Sequence, residues 1–287
     1  MKKKPDNTSH SSEIVKAFRK NKAAMIGLCL LALLVLTAIF ADVIVPYQNG
    51  ILQNARERLQ GPSKAHLFGT DEFGRDVFTR IVHGSRYSIA IGIGSTVIAL
   101  AIGTVIGAIC GLYGGLLDQI VMRLCDVVTC IPFMLLALAV VSALGASMIN
   151  LLVAMTIASC PGFIRMIRSV ILTIAEQDYI LAAKGCGVRR LAVIFRHVIP
   201  NAAGPIIVQG SMSVASMILA AAGLSYIGMG INPPTPEWGS MLNASTQYIN
   251  KAPYLMFFAG VAIALAALSM NLVGDGIRDA FDPRLKS

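Results

Sequence analysis

Six stretches of this chain, at roughly 23–45, 88–111, 126–147, 149–167, 205–229 and 254–274, are long and apolar enough to cross the hydrocarbon core of a bilayer. Such a crossing takes about 20 residues as a helix. The fourth stretch is the weakest. It reads INLLVAMTIASCPGFIRMI and carries Pro161 and Arg165. Helix breakers are tolerated inside a bundle where neighbours satisfy the freed backbone groups, so it is counted as a span. With five spans instead of six, the segment at 178–202 would lie on the opposite side of the membrane. Composition agrees with the six-span reading. Of 287 residues, 55% are hydrophobic and only 14% charged, against about 25% charged in an average soluble domain. The fold class expected is an all-α polytopic membrane protein.

The basic residues set the expected orientation. The formal net charge is +9, yet Lys and Arg flank the apolar runs instead of gathering on one face. That pattern argues against nucleic-acid binding and for a positive bias on the cytoplasmic side. Lys2, Lys3, Lys4, Lys16, Arg19, Lys20 and Lys22 precede the first span. Its 23 apolar residues contain one charge, Asp42, and read as an uncleaved signal-anchor helix. Six spans return Arg278, Arg284 and Lys286 to the same side. The expected divisions are a cytoplasmic tail at 1–22, a first span at 23–45, an extracytoplasmic loop at 46–87, a five-helix core at 88–274 and a cytoplasmic tail at 275–287. The loop at 46–87 breaks the rule, with six basic residues against four acidic ones.

Within the spans, Gly103, Gly107, Gly111 and Gly115 recur every four residues and form a smooth face for close helix approach, in cis or in trans. The fifth span carries Gln209, Ser211, Ser213, Ser216 and Ser225. Gln209, Ser213 and Ser216 are candidate pathway-lining residues, and interhelical hydrogen bonding is the competing reading. Six scattered cysteines form no CxxC pair and read as small packing residues.

Between the fourth and fifth spans lies DYILAAKGCGVRRLAVIFRHVIPNA, residues 178–202. Val188, Leu191, Ile194, Phe195 and Val198 make the stripe of an amphipathic helix, with Arg189, Arg190, Arg196 and His197 mainly off it. Tyr179, Ala182 and Ala183 share a face of a shorter helix before it. Gly185 and Gly187 permit a sharp turn between the two, and Pro200 ends or kinks the second. A helix, an elbow and a helix result. Such an object either floats on the membrane surface or docks into a groove on a partner. Both readings stay open from the residues alone.

Several chemistries find no support. No GxxxxGK[ST] phosphate loop, HExxH or GxSxG occurs, and the four histidines are scattered. Asp42, Asp118, Asp126, Arg165 and Arg168 sit near span ends, which disfavours an ion-coupled carrier acting alone. A non-transporting membrane scaffold is the other rival.

Four motifs carry a resemblance: HLFGTDEFGRDVFTRIVHGSRYSI at 66–89, the segment at 178–202, LSYIGMGINPPTPEWGSML at 224–242, and NLVGDGIRDAFDPRLK at 271–286. With the six spans they cover nearly all of the chain from about residue 20. The sequence resembles the inner-membrane permease subunits of peptide and nickel ABC transporters, in the dipeptide and oligopeptide "C" subgroup. The family's loop pattern is EAA, three residues, Gly, nine residues, then I-x-L-P. Here Ala182, Ala183, Gly187 and Pro200 match it, while Leu181 replaces the glutamate, His197 the isoleucine and Ile199 the leucine.

The resemblance implies a type I ABC importer permease fold of six transmembrane helices, with a cytoplasmic coupling helix between spans four and five. It implies that Leu181, Ala182, Ala183, Gly185, Gly187, Val188, Arg189, Arg190, Leu191, Phe195, His197 and Pro200 form the loop that grips an ATPase. Gly69, Thr70, Asp71, Gly74, Arg75 and Asp76 would form an outer-loop motif. Its charges either contact the binding protein or sister permease, or pair internally through Arg75 and Arg80 with Asp71, Glu72 and Asp76. The implied partners are a second homologous permease, two ABC ATPase subunits, an extracytoplasmic solute-binding protein, membrane lipid and a peptide substrate, in the bacterial inner membrane. No catalysis, metal or cofactor is expected on this chain, since ATP and Mg would be held by the ATPases. A nickel or metal-chelate importer is the alternative within the family.

Overall fold

The computed structural model describes residues 10–281. Among these residues twelve α-helical segments account for nearly all of the regular structure. An amphipathic helix α1 (His10–Lys20) turns at Asn21 into α2 (Lys22–Ile39). Asn21 is extended, and its side chain accepts a hydrogen bond from Ala24 N, the geometry of an N-cap. A short α3 (Ala41–Ile44) follows, and then the segment 46–76 with two 3-10 turns.

The central helix α4 (Val77–Tyr113) begins eleven residues before the apolar run expected at 88. Arg80, His83 and Arg86 interrupt the hydrophobic pattern there, but each reaches a backbone carbonyl of a neighbouring segment. Arg80 Nη1 donates to Gly50 O at 2.8 Å, Arg86 to Ala38 O and Ile39 O, and a ring nitrogen of His83 lies 3.0 Å from Val45 O. Arg86 thereby satisfies carbonyls at the end of α2, as basic side chains do at helix C-termini. The connection between α3 and α4 is accordingly shorter than 46–87.

The third expected span, 126–147, is instead two helices. α5 (Gly115–Thr129) and α6 (Phe133–Leu144) meet at 86°. Pro132 stands at the break, where its missing N–H ends the hydrogen-bond ladder. Among the described residues five helices are long and apolar enough to span a membrane, or six with the bent pair counted as one span. α7 (Met148–Ala175) runs unbroken through Pro161, so the weakest stretch in the sequence is a complete 28-residue helix.

α8 (Asp178–Gly185) and α9 (Arg190–Val193) form the elbow region. A π-turn, Ile194–Val198, then leads directly into α10 (Ile199–Leu224). Pro200 therefore neither ends nor breaks the helix. The π-turn shifts the bonding, with Ile199 N donating to Ile194 O, and Asn201 Nδ2 donates to His197 O beside the proline. α10 closes in a second π-turn, Ser225–Met229. A short α11 (Trp238–Ser245) and the final span α12 (Pro253–Phe281) complete the bundle.

α4 lies at the centre. It packs on α7 through Gly103, Gly107 and Gly111, so the smooth face seen in the sequence works in cis. A Cβ on Gly107 would stand 2.8 Å from Ile164 O, and one on Gly103 2.6 Å from Phe163 Cβ. One apolar cluster joins α4, α10, α11 and α12, a second joins α4, α7 and the elbow, and a third joins α4, α6, α7 and α10. α2 is the most peripheral span, leaving Ile26, Leu33, Leu36 and Ile39 exposed.

Candidate functional site

The two ends of the bundle are built on different physical terms. At one end, α8, α9 and the π-turn form the elbow. The reversal falls at Gly187, whose φ of +75° is open to glycine and strained for other residues. Gly185, by contrast, is the last residue of α8. Val188 N donates to Ala183 O at 3.2 Å and closes the turn. The apolar stripe expected on one face divides between two. Ile180, Val193, Ile194 and Val198 are fully buried and pack with Ile167 and Ile171 of α7. Tyr179, Leu181, Val188, Leu191 and Phe195 point away from the bundle, with Leu191 at 57% and Phe195 at 58% exposure. Ala182, Gly187, Arg189 and Pro200 are also exposed, while Ala183 and His197 are half-buried. One face anchors the elbow, and the other offers apolar surface without an intramolecular partner. Periodicity alone misses this division, because the π-turn adds a residue to the helical count between Leu191 and Val198.

At the opposite end, the segment 46–76 and the connection 230–252 interlock as a cap. Arg75 Nε pairs with Asp71 Oδ2 at 2.6 Å, Arg75 Nη2 with Glu72 Oε1 at 3.4 Å, and Arg80 Nε with Asp71 Oδ2 at 3.5 Å. All four side chains are nearly buried. Asp71 Oδ1 also accepts from the backbone N–H groups of Phe73 and Arg75, each at 2.9 Å. Burial, with Asp71 beside it, pushes the Glu72 carboxyl above the usual carboxylate range. Asp76 takes no part in this cluster. It caps α4 by accepting from Thr79 N at 2.7 Å, and it contacts His66 Nδ1 at 3.1 Å. Gly69 and Gly74 have positive φ, and Thr70 is held through its carbonyl by Tyr254 Oη at 2.9 Å. The charges of the 66–89 motif thus pair internally, Arg75 with Asp71 and Glu72 and Arg80 with Asp71.

The cap's second half comes from the motif at 224–242. Trp238 is 1% exposed, lies against Gly84 of α4 and donates from Nε1 to Ile81 O at 3.0 Å. Glu237 caps α11, accepting from Gly239 N and Ser240 N at 2.8 Å each. Burial raises its carboxyl, and the two backbone donors oppose the shift. Arg80 Nη1 also donates to Pro234 O at 3.1 Å, so the first and third sequence motifs lock through one guanidinium.

On α10, Ser213 Oγ donates to Gln209 O and Ser216 Oγ to Ser213 O, both at 2.8 Å. Their hydroxyls are satisfied within their own helix, Ser216 is exposed, and no interhelical bond engages them among the described residues. A further polar contact went unnoticed in the sequence. Arg168 of α7 pairs with Asp118 of α5, and Arg165 pairs with Asp126 at 3.6 Å while donating to Cys125 O at 3.1 Å. The signal was two arginines three apart on one helix and two aspartates eight apart on its neighbour, one or two turns on each face.

A bent, glycine-packed helical bundle with an apolar elbow at one end and a closed cap at the other defines a multi-pass membrane permease. The chain belongs to the family described as binding-protein-dependent transport system inner membrane component, which its residues 103–287 match. Residues 9–62 match the N-terminal TM domain of oligopeptide transport permease C. It is 43% identical over 275 residues to the dipeptide transport system permease protein DppC of Alkalihalophilus pseudofirmus, covering 96% of this chain and 90% of that one. It is 39% identical to the di/tripeptide transport system permease protein DppC of Pseudomonas aeruginosa, covering 96% and 92%. The glutathione transport system permease protein GsiD of Pectobacterium atrosepticum is 42% identical, covering 94% and 89%. The fold is similar to that in an inward-facing structure of the MetNI methionine ABC transporter, with TM-score 0.58 at 17% identity over 70% of this chain and 96% of that one.

Proposed function

We propose that this permease carries short peptides of two or three residues into the cell, driven by ATP hydrolysed on partner subunits. Dipeptides, tripeptides and glutathione, named for the relatives, all fall in that chemical class. The observation that carries the coupling half is the two-faced elbow. Its inner face is fixed to α7 by Ile180, Ile194 and Val198, while Leu181, Val188, Leu191 and Phe195 stand in solvent. A segment rigidly joined to two spans and apolar on its free side transmits a push from a docked partner, which a surface float does not need to do.

In this account the elbow faces the cytoplasm with both termini, and two ABC ATPases hold ATP and Mg. The outer cap lies under an extracytoplasmic solute-binding protein, and a sister permease completes the pathway beside Gln209, Ser213 and Ser216. This chain performs no covalent chemistry. The test is the double variant Leu191→Asp/Phe195→Asp, assembled with its partners in proteoliposomes. ATP-driven uptake of a dipeptide should fall by more than about tenfold, the scale of losing an interface hot spot. Uptake near the unmodified rate in assembled complexes would refute the coupling role.

A further inference from the structure

We propose that α1 is an interfacial helix whose exposed face binds anionic phospholipid headgroups. Ile14, Ala17, Phe18 and Asn21 are half-buried, and the helix is fixed to the end of α12. Phe18 lies against Gly276, and Asn21 Nδ2 donates to Asp279 Oδ2 at 3.0 Å. The arc facing away carries Val15, Lys16, Arg19 and Lys20, all exposed, and Lys22 opens α2 beside them. None of these four cations forms an ion pair with a described residue.

Position supplies the occupant. Lys22 is the first residue of a span, so it stands at the edge of the hydrocarbon core. Lys16 is six residues away on a separate helix, across the turn at Asn21, so it lies at most roughly 11 Å further along the bilayer normal and closer where α1 turns toward the membrane plane. The headgroup layer is roughly 5–8 Å thick on each side of the core. Long basic side chains reach further still by snorkelling along apolar surface, which Val15 provides next to Arg19. Four cations held at this depth, on a helix pinned by its opposite face and with no ion pair to a described residue, meet lipid phosphates before any soluble surface. Phosphate monoanions and diesters are the chemistry that answers this arc. The inference uses only the membrane-embedded fold, so it stands or falls separately from peptide transport.

The test uses the full chain with Val15→Trp, reconstituted in phosphatidylcholine vesicles. These contain either dibromo-phosphatidylglycerol or, at equal mole fraction, dibromo-phosphatidylcholine. Emission from Trp238, at the far end of the bundle, is subtracted using the chain that retains Val15. The brominated anionic lipid should quench position 15 at least about threefold more strongly, and salt should reduce the difference. Lys16→Gln/Arg19→Gln/Lys20→Gln/Lys22→Gln should abolish the preference, and Lys16→Arg/Lys20→Arg/Lys22→Arg should keep it. Equal quenching by both lipids, or a preference that survives the glutamine variant, overturns the proposal. So does a glutamine variant that sheds its ATPases while its lipid preference is unchanged, because the cations would then belong to a protein partner.

Discussion

The cap and the elbow solve opposite problems with similar residues. Both hold arginines and a glycine at positive φ, yet the cap turns its charges inward and the elbow leaves its apolar side chains outside. In the cap, Asp71, Glu72, Arg75 and Arg80 satisfy one another and Trp238 fills the space against α4. In the elbow, four apolar residues are buried and five others are exposed. The buried charges of the cap find their partners within the chain. An elbow with one face unanswered is complete only when something covers it. The contrast is therefore between a part that pairs its charges with one another and a part that leaves apolar side chains exposed, the part to which the proposed function assigns the coupling.

The comparison breaks most visibly at the cap. Arg75→Ala would leave Glu72 buried without its cation and Asp71 with Arg80 as its remaining ion-pair partner, at a cost of about 3–5 kcal/mol. Trp238→Ala would leave a cavity against α4 costing about the same. Either should lower the thermal midpoint of the purified chain sharply or remove it from the membrane. The elbow's buried face comes next. Ile194→Ala should cost about 2 kcal/mol in the same melt, since it opens the cluster shared with Ile167 and Ile171. Its neighbour Phe195→Ala, one residue away on the exposed face, should change stability by less than about 0.5 kcal/mol while still lowering transport. Equal effects at 194 and 195 would dissolve the distinction between the two faces.

The smallest effect concerns pH. The Glu72 carboxyl is raised in the folded state, so the stability it contributes is full below its unfolded value and is lost as pH rises through the folded one. Glu72→Gln removes that loss. The variant should therefore gain on the unmodified chain as pH rises above the usual carboxylate range of about 4, read as the difference between their melting curves. A gain in the opposite direction would place Glu72 as a net stabilising anion.

Much of this architecture was legible from the chain because length and apolarity alone decide what crosses a bilayer. All six stretches correspond to helices or to the bent pair, and even the stretch with Pro161 is whole. The glycine repeat correctly marked a helix interface. What escaped the sequence was local. Residues 77–87 read as loop because Arg80, His83 and Arg86 break the hydrophobic period, and only the surrounding carbonyls reveal why a helix tolerates them. Pro200 read as an end or a kink; the helix continues past it, and the π-turn just before it, which has no strong sequence signature, also split the amphipathic stripe. Asp118 and Arg168, 50 residues apart, could be joined only by folding α5 across α7. Of the candidate residues, Gly187 makes the elbow's turn while Gly185 ends α8, Arg75 and Arg80 pair with acidic residues of their own motif, and Ser213 and Ser216 bond within α10.

Cys186 offers the most direct test, because it is a native, exposed thiol on the elbow itself. A membrane-impermeant maleimide, followed by peptide mass analysis, reports its accessibility with no substitution at all. The account predicts that Cys186 reacts only in inside-out vesicles, and that bound ATPase subunits slow the reaction strongly. Modification from the outer face of intact cells, or an unchanged rate with the ATPases bound, would contradict it.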